Sequence, residues 1–135
     1  MKDQHDAAIS DYTEAIRLEP DDAVVFSNRG NAYYANDQYD AAINDYTEAI
    51  RLKPDDAFYY KNRGYAYYLN EQDDAAISDY TEAIRLEPDN GDFYGYRGQV
   101  YKQLGQKKQA IQDFEKALRM DTDLEWVEQE LDEIR

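Results

Sequence analysis

The feature that most constrains this chain is a repeat with a period of 34 residues. Residues 6–20 return with little change at 40–54 and 74–88, and a fourth, more divergent copy occupies residues 108–122. A fixed period of this length indicates an array of stacked supersecondary units. Function is therefore expected on a surface that several units build together, and residues that break the repeat are free to specify a partner.

Composition and charge argue against several classes of function. The 135 residues include 30 acidic and 15 basic side chains, for a formal net charge of −15, whereas nucleic acids and anionic membranes are bound by basic surfaces. There is no cysteine, which excludes disulfides and thiolate chemistry. No apolar run approaches the ~20 residues of a membrane span. Residues 1–6 lack the apolar core of a secretory leader, so a cytoplasmic location is expected.

Each repeat has the pattern of two helices. Apolar side chains recur with helical spacing over residues 41–50, and Pro54 ends this helix because proline cannot continue it. Asp55 and Asp56 then supply an N-cap for a second helix, which is rich in tyrosine and ends near Asn70. The aspartates that recur before these helices lack the spacing of a calcium loop, so capping explains them better than metal binding. The sequence predicts an all-α fold of antiparallel helical hairpins in tandem.

The residues that fill these helices resemble the tetratricopeptide repeat family, whose pattern alternates small and large residues. In the first complete repeat the matching residues are Phe26, Gly30, Tyr33, Ala42, Tyr46, Ala49 and Pro54. The same residue classes return in the next two repeats, except that Thr122 replaces the last proline. Small residues let helices approach closely, and large ones fill the gaps between them.

The resemblance implies a right-handed α-solenoid of about three and a half repeats plus a C-terminal capping helix. All parts are expected to form one domain. Its predicted parts are a half repeat at 1–22, complete repeats at 23–56, 57–90 and 91–122, and the capping helix at 123–135.

One departure from the family pattern recurs in every complete repeat. An arginine stands where the family usually has an aliphatic residue, and an aspartate recurs on the second helix. The arginines are Arg29, Arg63 and Arg97, and the aspartates are Asp11, Asp45, Asp79 and Asp113. Charges repeated on neighbouring helices predict a ladder of partly buried ion pairs. We interpret the ladder as structural rather than as a ligand site.

The two ends of the array are expected to differ. Residues 123–135 place Trp126, Val127, Leu131 and Ile134 on one helical stripe and leave an acidic outer face, as a capping helix does. Residues 1–22 correspond to a second helix without its first. Their apolar face would lack one packing partner, and such a face favours association. A longer array or another copy would cover it, so self-association through the N-terminal end is predicted.

The resemblance also implies a groove, lined by the first helix of each repeat, that holds an extended peptide. Carried onto this chain, the candidate groove residues are Ser27, Asn28, Asn31, Tyr34, Phe58, Lys61, Asn62, Tyr65, Tyr68, Tyr96, Gln99 and Lys102. An asparagine amide can pair with both groups of a peptide bond, and tyrosine offers amphipathic contact area. The two lysines could meet a carboxylate. These groove positions vary between repeats more than the packing positions do, as expected of a surface that recognises a partner. An unconstrained solvent surface would show the same variability.

One specialised version of this groove is not expected. Family members that grip chaperone C-terminal tails use a clamp of asparagines and cations. Asn31 and Asn62 match the clamp asparagines, but Ser27, Gly95 and Gln99 replace the cations.

The sequence therefore favours a non-enzymatic protein-interaction module that binds an extended peptide. The single histidine, His5, lies in the unpaired N-terminal turn, and the serines have no histidine or phosphate loop to activate them, so no catalytic, cofactor or metal residues are expected. The alternative is a self-assembling or architectural array, either a fragment or a consensus-like design, without a dedicated ligand. The sequence does not name the peptide, the parent protein or the pathway.

Overall fold

Helices account for nearly all of the chain. A computed structural model describes residues 2–135 and the side chains of residues 4–135. Within that range there is no strand, which confirms the predicted all-α class. The eight helices there are α1 (Lys2–Leu18), α2 (Ala23–Ala35), α3 (Tyr39–Leu52), α4 (Ala57–Leu69), α5 (Asp73–Leu86), α6 (Gly91–Gln103), α7 (Lys107–Met120) and α8 (Glu125–Ile134). Each helix packs on its chain neighbours, and the most extensive contacts are within the pairs α2–α3, α4–α5 and α6–α7.

Capping side chains set where the first helix of each hairpin begins. The side chains of Asp22, Asp56 and Asn90 accept hydrogen bonds of 3.0, 3.0 and 3.1 Å from the backbone N–H two residues later. These bonds satisfy donors that the first turn of a helix leaves unpaired. The predicted capping role of Asp56 is thus confirmed, and Asp22 and Asn90 cap their helices in the same way.

Small residues and aromatic rings pack in the alternation that the sequence predicts. A Cβ atom added to Gly64 would lie 2.9 Å from the ring of Tyr80, and one added to Gly98 would lie 2.6 Å from Phe114. The alanines that pack at the crossings of the helices are fully buried: Ala42, Ala49, Ala76, Ala83, Ala110 and Ala117. Any larger side chain at these glycines would push the hairpin apart.

The predicted arginine–aspartate ladder is present in every hairpin. Arg63 donates two hydrogen bonds of 2.8 and 2.7 Å to Asp79, and its guanidinium lies between the rings of Tyr60 and Tyr67. A further bond of 3.1 Å reaches Thr47, which belongs to the preceding hairpin. Equivalent pairs join Arg29 to Asp45 and Arg97 to Asp113. The ladder therefore links each hairpin to the one before it.

Protonation of the ladder follows from its geometry. Burial raises the pKa of the Asp79 carboxyl, and Arg63 opposes that rise. The hydrogen bond to Asp79 raises the pKa of the Arg63 guanidinium. Two short bidentate bonds favour the charged forms of both groups, so the pair is ionised at neutral pH.

The first and last helices differ in how far they are covered. Tyr12 of α1 is half-buried, whereas its equivalent Tyr46 is 2% exposed. Helix α8 begins 34 residues after α6, so it takes the place of the first helix of a further repeat. Val127 and Leu131 of α8 are buried against the last hairpin. Among residues 2–135, no helix is both long and apolar enough to cross a membrane.

Candidate functional site

Helices α2, α4, α6 and α8 bring their side chains together on one face, which we call the groove face. Tyr34, Tyr65, Tyr96 and Trp126 form a chain of contacting rings across it, the aromatic ladder. Successive ring centroids lie 5.8, 5.9 and 5.3 Å apart, and Tyr68 joins the ladder at 6.0 Å from Tyr65. Because each ring comes from a different helix, this surface exists only in the assembled array.

A cleft of about 330 Å³ opens beside the aromatic ladder. It is lined by Asn31, Tyr34, Tyr46, Lys61, Asn62, Tyr65 and Tyr96. Six of these seven residues were predicted from the sequence. A larger cavity of about 730 Å³ lies at the turn between α1 and α2, and a similar one of about 520 Å³ follows α5. Because these cavities recur at the turns, they reflect the packing of the repeats.

Lys61 is held at the wall of the cleft between two rings. Its Nζ atom lies 5.8 Å from the centre of the Phe58 ring and 5.9 Å from that of Tyr96. Burial lowers the pKa of Lys61, and the nearby Asp92 opposes that shift. In the part of the chain that the structure describes, Lys61 forms no ion pair. Its three N–H donors are available to a ligand.

Lys102, the other predicted groove lysine, is already engaged. Its ammonium group donates a 2.9 Å hydrogen bond to Glu130 and a short one to Glu133, both on α8. Both bonds raise the pKa of Lys102, and the bond to Glu133 has the larger effect. The expectation that Lys102 meets a ligand carboxylate does not fit this arrangement.

Helix α8 forms the end wall of the groove face. Trp126 stacks on Tyr96, and a Cβ atom added to Gly95 would lie 2.6 Å from the indole. The sequence indicated a capping role for α8, and Trp126, Glu130 and Glu133 were not among the predicted groove residues. The signal was the period itself, since Glu130 and Glu133 lie 34 residues after the groove candidates Tyr96 and Gln99, and Trp126 lies 34 residues after Asp92 of the same helix.

The remaining predicted residues lie outside the cleft. Ser27 is buried, at 6% exposure, and Asn28 is half-buried. Phe58 is exposed and meets Phe93 edge-on, with centroids 5.7 Å apart. Gln99 has a buried side-chain oxygen without a partner among the described residues.

Tyr46 is a cleft residue that sequence reasoning placed only in the core. Its ring packs closely on Gly30, and its hydroxyl donates a 2.6 Å hydrogen bond to Asn31. Packing of the ring already explains a tyrosine at this position, so nothing in the sequence indicated that its hydroxyl lines a cleft. Across the described residues, no cluster of three or more histidine, aspartate and glutamate side chains could hold a metal ion.

Comparison with known families and structures agrees with this architecture. The sequence matches the TPR repeat over residues 2–37, 30–71 and 64–105, and the tetratricopeptide repeat over residues 91–123. Comparison with curated protein sequences found no match.

Three solved structures illustrate the likeness. MamA superposes with a TM-score of 0.89 at 25% identity, over 96% of this chain and 76% of that one. The Arabidopsis OM64 TPR domain gives 0.80 at 32% identity, over 84% and 93% of the two chains. The first TPR of Spaghetti (RPAP3), bound to the HSP90 peptide SRMEEVD, gives 0.80 at 28% identity, over 83% and 89%. With repeat matches from residue 2 to residue 123, the chain belongs to the tetratricopeptide repeat family.

Proposed function

We propose that this chain is a non-enzymatic interaction module that binds an extended peptide segment on its groove face. The observation that supports it is the cleft, where Lys61 and Asn62 lie beside four tyrosines from four helices. These groups offer the hydrogen-bond donors and flat contact area that peptide recognition uses. The RPAP3 domain, bound to an HSP90 peptide, is a structural relative with a peptide ligand.

The interactions on offer set the scale of the affinity. Asn62 can pair with one peptide group, Lys61 can donate to a carbonyl, and the tyrosine rings add contact area. Each hydrogen bond contributes about 0.5–1.5 kcal/mol net. A few such contacts, after the cost of ordering the peptide, correspond to a dissociation constant of about a micromolar or weaker.

Chaperone tails are not the proposed ligand. The HSP90 peptide on RPAP3, SRMEEVD, has two glutamates and a C-terminal aspartate. In this chain Ser27 and Gly95 stand where the clamp lysines are expected, and the net charge of −15 opposes an acidic ligand at long range. The same charge argues against nucleic acid as a partner.

A peptide screen with a matched pair of variants tests this proposal. Asn62→Ala removes an amide from the cleft, whereas Asn44→Ala removes one from an exposed site on α3. We expect Asn62→Ala to weaken binding of a selected peptide about fivefold to tenfold, in line with one lost hydrogen bond. Asn44→Ala should bind as the parent does. Equal affinity for both variants, or no peptide selected at all, would refute the proposal.

A self-assembling array is the second candidate function. It is favoured by the half-buried Tyr12 and Ala8 of α1, whose equivalents Tyr46 and Ala42 are buried. A second copy packed on α1 would bury this apolar face. We expect the mass from light scattering to rise with concentration and to stop rising in Tyr12→Lys. A parent protein that stays monomeric at every concentration would exclude this candidate.

A further inference from the structure

The aromatic ladder runs across the whole array. Tyr34, Tyr65, Tyr96 and Trp126 come from four helices, and their separations of 5.8, 5.9 and 5.3 Å limit its length to about 17 Å. All four side chains are half-buried, so each keeps part of its surface in solvent. Polyproline II helix rises about 3.1 Å per residue, so the ladder matches about five residues of it.

Several polar groups beside the ladder can donate hydrogen bonds. Lys61 brings three N–H donors, Asn62 brings an amide NH₂, and the hydroxyls of Tyr34 and Tyr65 can donate as well. A proline residue has no N–H, and a polyproline II segment makes no internal hydrogen bonds. Such a segment therefore presents rings and free carbonyl acceptors, which complement the rings and donors of the cleft.

The charges on the groove face favour an uncharged ligand. Lys102 is neutralised by Glu130 and Glu133, which leaves Lys61 as the unpaired member of the two groove lysines within the described residues. A ligand carboxylate at Lys61 would also meet Asp92 on the neighbouring helix. An uncharged segment can take hydrogen bonds from Lys61 without that repulsion.

We propose that the groove face selects proline-rich segments in the polyproline II conformation, stacked along the aromatic ladder. This inference rests on the proposed function, because it names the class of peptide for the same cleft. Aromatic-lined grooves bind this helix well because it is stiff before binding and loses little entropy. The ladder supplies the rings, and Lys61 and Asn62 supply donors to the carbonyls.

A titration with two neutral peptides tests the inference directly. The probes are an acetylated, amidated proline homopeptide of about ten residues, longer than the ladder, and a glycine–serine peptide of equal length. Trp126 is the single tryptophan and ends the ladder, so its fluorescence reports occupancy, with calorimetry as a second measurement. We expect the proline peptide to bind at least about tenfold more tightly, with a change in Trp126 emission.

Variants of Tyr65, an inner ring of the aromatic ladder, test whether the ladder binds the proline peptide. Tyr65→Ala should weaken the proline peptide about tenfold, whereas Tyr65→Phe keeps the ring and should lose only about twofold to threefold. Tyr101→Ala removes a half-buried tyrosine that packs in the last hairpin and does not line the cleft, so this variant should bind as the parent does. Circular dichroism checks that each variant is folded, and Tyr34→Ala replaces Tyr65→Ala if the latter is not.

The outcomes separate the inference from the proposed function. Equal affinity for the two neutral peptides, or an unaffected Tyr65→Ala, would overturn the proline inference. Preference for an acidic peptide would overturn it in favour of a carboxylate at Lys61. In either case, a peptide from the screen that depends on Asn62 would leave the proposed function standing. If no peptide binds at all, both proposals fall.

Discussion

The hydroxyl of Tyr46 donates a 2.6 Å hydrogen bond to the side-chain oxygen of Asn31, whereas the equivalent hydroxyl of Tyr80 has no partner among the described residues. Tyr65 stands 34 residues after Asn31, so the second hairpin has no amide oxygen at the equivalent position. Tyr80 is fully buried, at 0% exposure. Two tyrosines that pack in the same way thus differ in their hydroxyls: that of Tyr46 is hydrogen-bonded, and that of Tyr80 is buried without a partner among the described residues.

Removing the two hydroxyls should have opposite effects on stability. Tyr46→Phe loses a hydrogen bond and leaves Asn31 without it, so we expect the free energy of unfolding to fall by about 1 kcal/mol. Tyr80→Phe removes a buried polar atom that has no partner, so stability should stay the same or rise. Urea denaturation of both variants measures this. A loss for Tyr80→Phe as large as that for Tyr46→Phe would contradict the assignment.

Removing one arginine of the arginine–aspartate ladder should lower the free energy of unfolding strongly. Arg63→Ala leaves the buried carboxylate of Asp79 without its partner, and we expect a loss of about 3–5 kcal/mol in unfolding free energy. The control is Arg51→Ala, which breaks an exposed pair with Glu48 and should cost less than about 1 kcal/mol. Thermal melts compare the two. An unchanged melting temperature for Arg63→Ala would show that the ladder does not stabilise the fold.

The helix caps offer a matched pair of neighbouring aspartates. Asp56 accepts the backbone N–H of Phe58 at 3.0 Å, whereas Asp55 precedes it and is exposed. Asp56→Ala should cost about 0.5–2 kcal/mol and Asp55→Ala nearly nothing. Equal losses measured by chemical denaturation would mean that general charge, rather than capping, is responsible.

Alkaline pH should unfold the array through its buried tyrosines. Burial raises the pKa of Tyr46 and of Tyr80 above the ordinary value of 10.0. Their contribution to stability is complete below about pH 10 and is lost as pH rises above it, because the unfolded chain ionises first. We expect tyrosinate absorbance to rise together with loss of helical circular dichroism above pH 10. Ionisation of every tyrosine with the helices intact would contradict this.

Much of the fold follows from the period of the sequence. The caps, the alternation of glycine with aromatic rings and the ion pairs recur at fixed spacing, so one repeat predicts the others. Each depends on contacts within one hairpin or between adjacent ones. Six of the seven cleft residues were predicted from the resemblance to the tetratricopeptide repeat family, which implies the groove positions on this chain.

The sequence did not predict the roles of side chains that have more than one possible partner. Lys102 could face a ligand or Glu130, and only the placement of α8 decides between them. Likewise, the register of Trp126 is visible in the period, but Leu131 stands where the other repeats have arginine and makes α8 look unrelated. Side chains with several available partners need the assembled array before their role is defined.

Each arginine of the ladder has one partner 16 residues ahead and another 16 residues behind, as Arg63 has in Asp79 and Thr47. A segment of 34 residues can therefore be duplicated or deleted, and the arginines on either side of the junction find the same pair of partners. Gene duplication can lengthen such an array by whole hairpins without creating an isolated buried charge at any intermediate step. The arginine–aspartate ladder makes the number of repeats an evolvable quantity.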